Sequence, residues 1–264
     1  MIKRILFLLS LSGMLFADQT IVLTFGVENN NSIVTKQATE IFGSANALTY
    51  NVVSANNDYY ISTLLCVNGI KSDISLNICH AEKQNAITTT RGKITTIGGD
   101  SANLSSLVAI FGNAQINGVL TTTNDNTFHI KFSGLHESSY TLYVLGTRSG
   151  SDWDVPTNYS LTGTKSFTIS EEKQVYNGAS KPSISGNVIT AATYNSQGNT
   201  ISNWLLMQFD FSPNEDNQSV VLSSWGNYGN IAAIALVEHS APEPTTVTLG
   251  LLALTALAAR RKRK

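Results

Sequence analysis

Two polar stretches of this 264-residue chain carry large aromatic residues. Trp225 and Tyr228 belong to the sequence Trp-Gly-Asn-Tyr, and Trp153 lies in the segment 150–158. An exposed aromatic ring stacks on the apolar C–H face of a sugar, while neighbouring polar side chains bond its hydroxyls. Two interpretations follow: these rings form part of a glycan-binding surface, or they only cap the end of a folded domain, and the capping interpretation is the favoured one for Trp225 and Tyr228. The candidate hydroxyl-binding residues are Arg148, Asp152, Asn158, Asn227 and Asn230.

The same segment contains two carboxylates that alternate with Trp153, namely Asp152 and Asp154. Carboxylate oxygens are the ligands that Ca²⁺ prefers in proteins, so the pair is a candidate calcium site. No Asp-rich continuation or bidentate Glu follows at a defined spacing, and the alternative is a solvated turn. No other cofactor is predicted.

Gly99-Asp100-Ser101 resembles the nucleophile segment of serine hydrolases that carry a Gly-Asp-Ser signature. That resemblance implies a base supplied by a later Asp-x-x-His, but no His stands three residues after any Asp in this chain. The nearest arrangement is Asp125 with His129, four positions apart. A serine without a positioned base is a poor nucleophile, so we predict that the protein is not an enzyme.

The four histidines are scattered, without the close spacings typical of zinc sites: His80, His129, His136 and His239. We expect His129 and His136 to be solvent-facing. The two cysteines, Cys66 and Cys79, are an even pair that permits a disulfide in an exported protein. Two free thiols are the alternative.

The N-terminus has a short basic start, an apolar run over 5–16 and a small residue, Ala17. This is the pattern of a secretory signal peptide over 1–17, and the alternative is a buried N-terminal helix. The segment 1–17 contains two of the 17 basic residues of the chain. The C-terminal segment 241–264 contains five more basic residues and one of the 18 acidic residues. The body between keeps 10 basic and 17 acidic residues, a net charge of −7, which argues against nucleic acid as a partner.

Period-2 alternation of apolar and polar residues recurs along the body and predicts an all-β fold. We expect a single antiparallel β-sandwich of the jelly-roll type over 18–240, with its first and last strands paired. The segment 81–106 is expected to be mostly loop, with a short helix at its start. The predicted strands are 20–25, 47–53, 64–67, 74–79, 107–111, 128–132, 140–145, 158–161, 166–169, 188–193, 204–211, 220–222 and 231–237.

The C-terminal segment 241–264 has three parts in order: Pro242-Glu243-Pro244, an apolar run, and five basic residues. These basic residues are Arg260, Arg261, Lys262, Arg263 and Lys264. The segment closely resembles the PEP-CTERM sorting signal of Gram-negative bacteria. That resemblance implies export, processing by an exosortase-type enzyme while the tail is held in the inner membrane, and release to the cell surface or extracellular polysaccharide.

The apolar run of this tail, 245–259, would span about 22 Å as a helix. This is short of the ~30 Å hydrocarbon core of a bilayer, so the run favours a transient halt over a permanent anchor. The basic end would stay cytoplasmic and leave Pro242 to Pro244 on the outer side.

The body resembles the galactose-binding-like jelly rolls often found in front of such tails. The matching segments are 21–26, 132–135, 140–144, 146–148, 159–163 and 229–237. The family favours Ser where this chain has Thr147. Three functions stay open: a glycan-binding surface or matrix protein, a purely structural or adhesive envelope protein, and a secreted hydrolase.

Overall fold

The computed structural model describes residues 19–26, 31–80, 87–91, 105–116, 118–122, 127–147, 157–177, 181–191, 204–215, 218–226 and 230–239. The predicted signal peptide and sorting signal lie outside these residues. No helix within the described ranges is long and apolar enough to cross a membrane.

The described part of the chain is built mainly of β-strands. In chain order the strands are β1 (Thr20–Phe25), β2 (Ser32–Ala38), β3 (Leu48–Ser54), β4 (Tyr59–Ile61), β5 (Ser75–His80), β6 (Ile87–Arg91), β7 (Gly118–Thr122), β8 (Phe128–Ser133), β9 (Ser139–Thr147), β10 (Thr157–Thr162), β11 (Thr164–Thr168), β12 (Val175–Asn177), β13 (Ser183–Ser185), β14 (Val188–Ala191), β15 (Trp204–Pro213), β16 (Ser219–Gly226) and β17 (Asn230–His239). One α-helix, α1 (Ser105–Phe111), lies between β6 and β7, and a 3-10 turn (Glu171–Lys173) precedes β12.

These strands form two sheets, as the alternation of the sequence predicts. The large sheet has the order β11-β15-β9-β17-β7-β1-β3-β2, with β12 beside β15 and β6 beside β7. The small sheet has the order β13-β14-β10-β16-β8-β5-β4. Apolar side chains from both sheets form one buried cluster, so the architecture is a β-sandwich.

The first and last strands are paired, which confirms that prediction: β1 runs antiparallel to β17 from Thr20 opposite Val237 to Thr24 opposite Ala233. The sandwich is not purely antiparallel, however, because β1 and β3 are parallel. The chain passes from β1 to the sheet edge at β2, and β3 then returns between them antiparallel to β2. Strand β3 consequently runs in the same direction as β1.

The main core lies between the sheets and follows the period-2 pattern. On β8, Phe128, Ile130 and Phe132 are fully buried, while His129 and Lys131 face the other side. On β17, every side chain from Ile231 to Leu236 is buried. This strand lies inside the large sheet, between β9 on one side and β7 and β1 on the other. The last strand is therefore central in its sheet and covered on both faces.

A second apolar cluster covers part of the outer side of the large sheet, where Leu107 and Phe111 of α1 join Val22, Leu145 and Trp204. The prediction of a strand at 107–111 was wrong. A run of five apolar residues has no periodicity that separates a strand from a buried helix. Burial against the sheet selects the helix here, and Trp204 of β15 is buried in the same cluster.

The segment 64–67 was also predicted as a strand but forms no ladder. It is closed by a tight turn in which Gly69 has φ +82° and the backbone amide of Cys66 bonds the carbonyl of Ile70. Strand β6 lies inside the segment 81–106 that was predicted as mostly loop, so that prediction was wrong for 87–91.

Both cysteines are free thiols in the structure, and the disulfide between Cys66 and Cys79 is not formed. The physical reason is their placement on opposite sides of the small sheet. Cys66 lies in the core cluster between the sheets. Cys79 alternates along β5 with the buried Leu76 and Ile78 and therefore faces outward.

Candidate functional site

The outer face of the small sheet is a polar surface. The strands β5, β8, β16 and β10 turn alternate residues towards it, and their register aligns these residues in rows across the sheet. One row runs from Ser160 through Ser223 and His129 to Cys79, in which both serines are buried between their neighbours. None of these side chains belongs to either hydrophobic cluster. We call this surface the Trp225 face, and its members used below are Trp225, Asn158, Thr190, Ser223, His129, Lys131, Asn77 and Tyr60.

Trp225 lies at the end of β16 on this face. It lies beyond the predicted strand 220–222 but is part of β16, because it pairs directly with Asn158 of β10. Its neighbours Ser224 and Tyr159 form the adjacent pair and point into the core, which turns Trp225 outward. The side chain is partly exposed, so the indole is neither fully solvated nor part of the core.

Asn158 is held in place beside this indole. The hydroxyl of Thr190 donates to Asn158 Oδ1 over 2.8 Å, and Thr190 is its register partner on β14. Because the amide oxygen accepts this bond, the amide nitrogen is oriented as the donor end. The arrangement places an oriented donor next to a partly exposed ring, which is the pairing that a sugar hydroxyl and its C–H face require.

His129 and Ser223 occupy the next row. His129 Nδ1 lies 2.7 Å from Ser223 Oγ, so the imidazole is bonded and partly buried rather than freely solvated as predicted. Burial lowers the pKa of His129, and the neighbouring His80 lowers it further. Both effects disfavour the imidazolium, so His129 contributes a neutral ring to this face.

A second exposed ring, Tyr60 on β4, lies on the same face. Its row is Val221, Lys131, Asn77 and Tyr60, and Tyr60 is 63% exposed. Three strand spacings and four residues separate Tyr60 from Trp225, which corresponds to roughly 20 Å across the sheet. The line between the two rings crosses the polar side chains of both rows.

Several predicted site residues lie outside the described residues. They are Arg148, Asp152, Trp153, Asp154, Asn227, Tyr228, Pro242, Glu243, Pro244 and the basic residues 260–264. Of the candidate binding residues, the structure therefore brings Trp225 and Asn158 together. Within the described ranges, no group of three His, Cys, Asp or Glu side chains is arranged to hold a metal ion.

Sequence reasoning missed Tyr60, Thr190 and Ser223 as members of this face. Strand β4 has only three residues, too few for its alternation to stand out. The positions of all three depend on the pairing of strands that are distant in sequence. The available signal was the run of polar residues at alternate positions of β8, which indicates that one face of this strand lies outside the apolar core.

No protein-family model matches the chain, and no curated protein matches it significantly. Among solved structures, the chain is similar to TmCBM61 in complex with β-1,4-galactotriose, with 8% identity and a TM-score of 0.26, covering 62% of this chain and 83% of that one. It is also similar to the N-terminal domain of the Streptococcus gordonii adhesin Sgo0707, with 8% identity, a TM-score of 0.28 and coverage of 87% and 61%.

A third similar structure is the enzymatically active domain of bacteriophage CBA120 tailspike protein 4, with 10% identity and a TM-score of 0.25. The match covers 63% of this chain and 18% of the tailspike chain. At these TM-scores none of the three similarities supports an inference about this chain, and its own residues must carry the argument.

Proposed function

We propose that this chain is a non-enzymatic, exported surface or extracellular-matrix protein that binds glycan through the Trp225 face of a jelly-roll-type sandwich. The observation that carries the proposal is the partly exposed indole of Trp225 beside the oriented amide of Asn158. A polar sheet face with a partly exposed aromatic ring suits a ligand that has both apolar C–H faces and hydroxyls.

The ligand that suits this face best is an extended oligosaccharide. Trp225 and Tyr60 are roughly 20 Å apart, a span longer than one or two sugar rings. Between them lie neutral donors and acceptors, including the His129–Ser223 pair, with Lys131 at the exposed surface. A chain lying across the face would stack near its ends and form hydrogen bonds along its middle.

The sorting part of the proposal rests on the resemblance of the tail to a PEP-CTERM signal. Under this proposal an exosortase-type enzyme cuts near Pro242 to Pro244 during export from a Gram-negative cell. Mass spectrometry of the native protein's C-terminus is the test. Surface protein that still carries residues 245–264 would contradict it, whatever the outcome for glycan binding.

Glycan binding is tested by isothermal titration of the purified protein with neutral disaccharides and hexasaccharides. We expect Trp225→Ala to weaken hexasaccharide binding at this face at least tenfold, by ~1.4 kcal/mol or more, because the stacking ring is lost, so that ligand concentrations that just saturate the wild type leave this site largely empty. Tyr60→Ala should weaken hexasaccharide binding but leave disaccharide binding unchanged. Tyr176→Ala is the matched control, since Tyr176 is 40% exposed on β12 of the other sheet.

An absence of binding to every glycan of the panel would favour the purely structural or adhesive alternative. Binding that is insensitive to Trp225→Ala would also contradict the proposed site.

A further inference from the structure

The outer side of the large sheet contains a groove at the end where β17 finishes. Two adjoining cavities of about 620 and 480 Å³ share Ser139, Ser166, Ser212 and His239 in their walls. Their floor is formed by outward residues of β9 and β15, beyond the part of the sheet that α1 covers. Volumes of this size accommodate small organic ligands or short sugar chains.

The floor of the groove contains a directed chain of hydrogen bonds. Thr141 Oγ1 donates to Asp210 Oδ1 over 2.7 Å. Thr141 Oγ1 also lies 2.8 Å from His239 Nε2. A hydroxyl has one hydrogen, and Thr141 uses it on the carboxylate. His239 must therefore donate from Nε2.

Asp210 is the anchor of this chain. Burial acts to raise the pKa of Asp210, but hydrogen bonds from Lys173, Thr141 and Gln208 outweigh it and lower the pKa. Lys173 Nζ lies 2.6 Å from Asp210 Oδ2, and Gln208 Nε2 lies 3.1 Å from Oδ1. The carboxylate is thus ionised and its oxygens are occupied by protein donors, so it orients its neighbours instead of attracting a cation.

The charges around the groove are largely paired. Lys173 pairs with Asp210, and Lys165 pairs with Glu215. Glu137 adds one negative charge to the wall. The described residues that line the groove therefore have no net positive charge that would recruit an anionic ligand, and the rest of this lining is rich in Ser and Thr hydroxyls.

Tyr143 supplies an aromatic wall at the boundary between the groove and the second apolar cluster. It is partly exposed, packs against that cluster and pairs with Gln208 across the sheet. Burial and the nearby Asp210 raise the pKa of Tyr143, so its phenol stays a neutral donor. The groove thus combines a ring edge with hydroxyl, amide and imidazole groups.

We infer that this groove is a second binding site, for a neutral hydroxylated ligand such as a short uncharged sugar chain. It lies on the face of the sandwich opposite the Trp225 face. Two sites that face in opposite directions allow one molecule to bridge two polysaccharide strands. The bridging role rests on the proposed function, whereas ligand binding in the groove does not.

The test uses isothermal titration of the purified protein with neutral hexasaccharides of glucose, galactose and mannose, and with an acidic hexasaccharide of glucuronic acid. Ser166→Trp places a large ring in the groove from an exposed position of the edge strand β11. Thr35→Trp is the matched control, because Thr35 is exposed on β2, the opposite edge of the same sheet. His239→Ala is a second groove variant that adds no bulk. A melting temperature equal to that of the wild type establishes that each variant is folded.

We expect the titration to show two neutral hexasaccharides bound per molecule of wild type and of Thr35→Trp. Ser166→Trp and Trp225→Ala should each bind one. His239→Ala should weaken binding in the groove at least fivefold. Turbidity of mixtures with the matching polysaccharide should require both sites and vanish in either single variant.

The remaining outcomes separate the two proposals. One ligand per molecule, lost in Trp225→Ala and unaffected by Ser166→Trp, overturns the groove and keeps the proposed function. One ligand lost only in Ser166→Trp supports the groove and overturns the Trp225 face. Preference for the acidic hexasaccharide in the groove overturns the neutral class, and no binding to any probe overturns both sites.

Discussion

Glu238 Oε1 lies 3.1 Å from Nδ1 of His136, although Glu238 is only 2% exposed. The same carboxylate oxygen accepts a bond from Ser138 Oγ over 2.8 Å. On the other side of the imidazole, Gln19 Nε2 lies 3.2 Å from His136 Nε2. These contacts connect the start of the first strand, the end of the last strand and the connection between β8 and β9.

Removing this buried carboxylate should destabilise the fold. We expect Glu238→Ala to lower the free energy of unfolding by about 2–3 kcal/mol, because His136 and Ser138 lose their acceptor and a cavity remains. Urea unfolding measures the change. Glu215→Ala is the control, and it should change stability by less than ~0.5 kcal/mol because Glu215 is exposed. Equal losses in the two variants would contradict the structural role of Glu238.

His129 should make the protein less stable in mild acid. Burial and His80 lower its pKa in the folded state, so the unfolded chain binds more protons as the pH falls through about 6.5. The stability that comes from the neutral, buried His129 is therefore fully present above pH 6.5 and is lost as the pH falls below that value. We expect the decline in unfolding free energy between pH 8 and pH 5 to be smaller in His129→Gln than in wild type. Lys131→Gln, on the same face of β8, should retain the wild-type decline.

Gly134 should tolerate no side chain, for two separate reasons. Its φ is +82°, and an added Cβ would lie 2.3 Å from the carbonyl oxygen of Asp73. Gly186 has φ +60° but nothing within 4 Å of the corresponding position. We expect Gly186→Ala to cost about 1–2 kcal/mol from backbone strain alone and Gly134→Ala at least ~2 kcal/mol more. Similar melting temperatures for the two variants would argue against the close approach to Asp73.

The cysteines should behave as two free thiols of low reactivity. Burial raises the pKa of both Cys66 and Cys79, which reduces the thiolate fraction. Cys66 is 3% exposed and should resist alkylation by iodoacetamide in the folded protein, whereas Cys79 should react slowly. Both should react after denaturation without reductant. Intact mass spectrometry counts the alkylated cysteines. Two cysteines that stay unalkylated in denaturant would reveal a disulfide and contradict the prediction.

Local pattern was a good guide wherever a strand has one buried face. Phe128, Ile130 and Phe132 alternate with polar residues, and burial of one face is sufficient to predict both the strand and its inward side. The same reasoning failed for Leu107 and Phe111, because a short apolar run can be buried as either element. It also failed for 64–67, where the turn closes too early for a ladder to form.

The candidate site was predictable only in part. Trp225 was identified from its residue type and its polar setting. Its neighbour Asn158 lies on β10, far from β16 in the sequence, so their proximity could not be predicted from local pattern. Thr141, Asp210 and His239 gave no local signal at all, since each is an ordinary polar residue on its own strand. Their hydrogen bonds follow from the registers of β9 with β15 and with β17.

The amino-acid sequence by itself determined the β-rich class of this protein, the inward face of its clearest strands and the acidic balance of its body. These properties depend only on the periodicity and composition of residues that are close together in the sequence. Only the tertiary structure decided that α1 covers one side of the large sheet and that Trp225 lies beside Asn158. Such relationships depend on which distant strands pair and in what register, because a shift of one residue would turn every side chain to the opposite face.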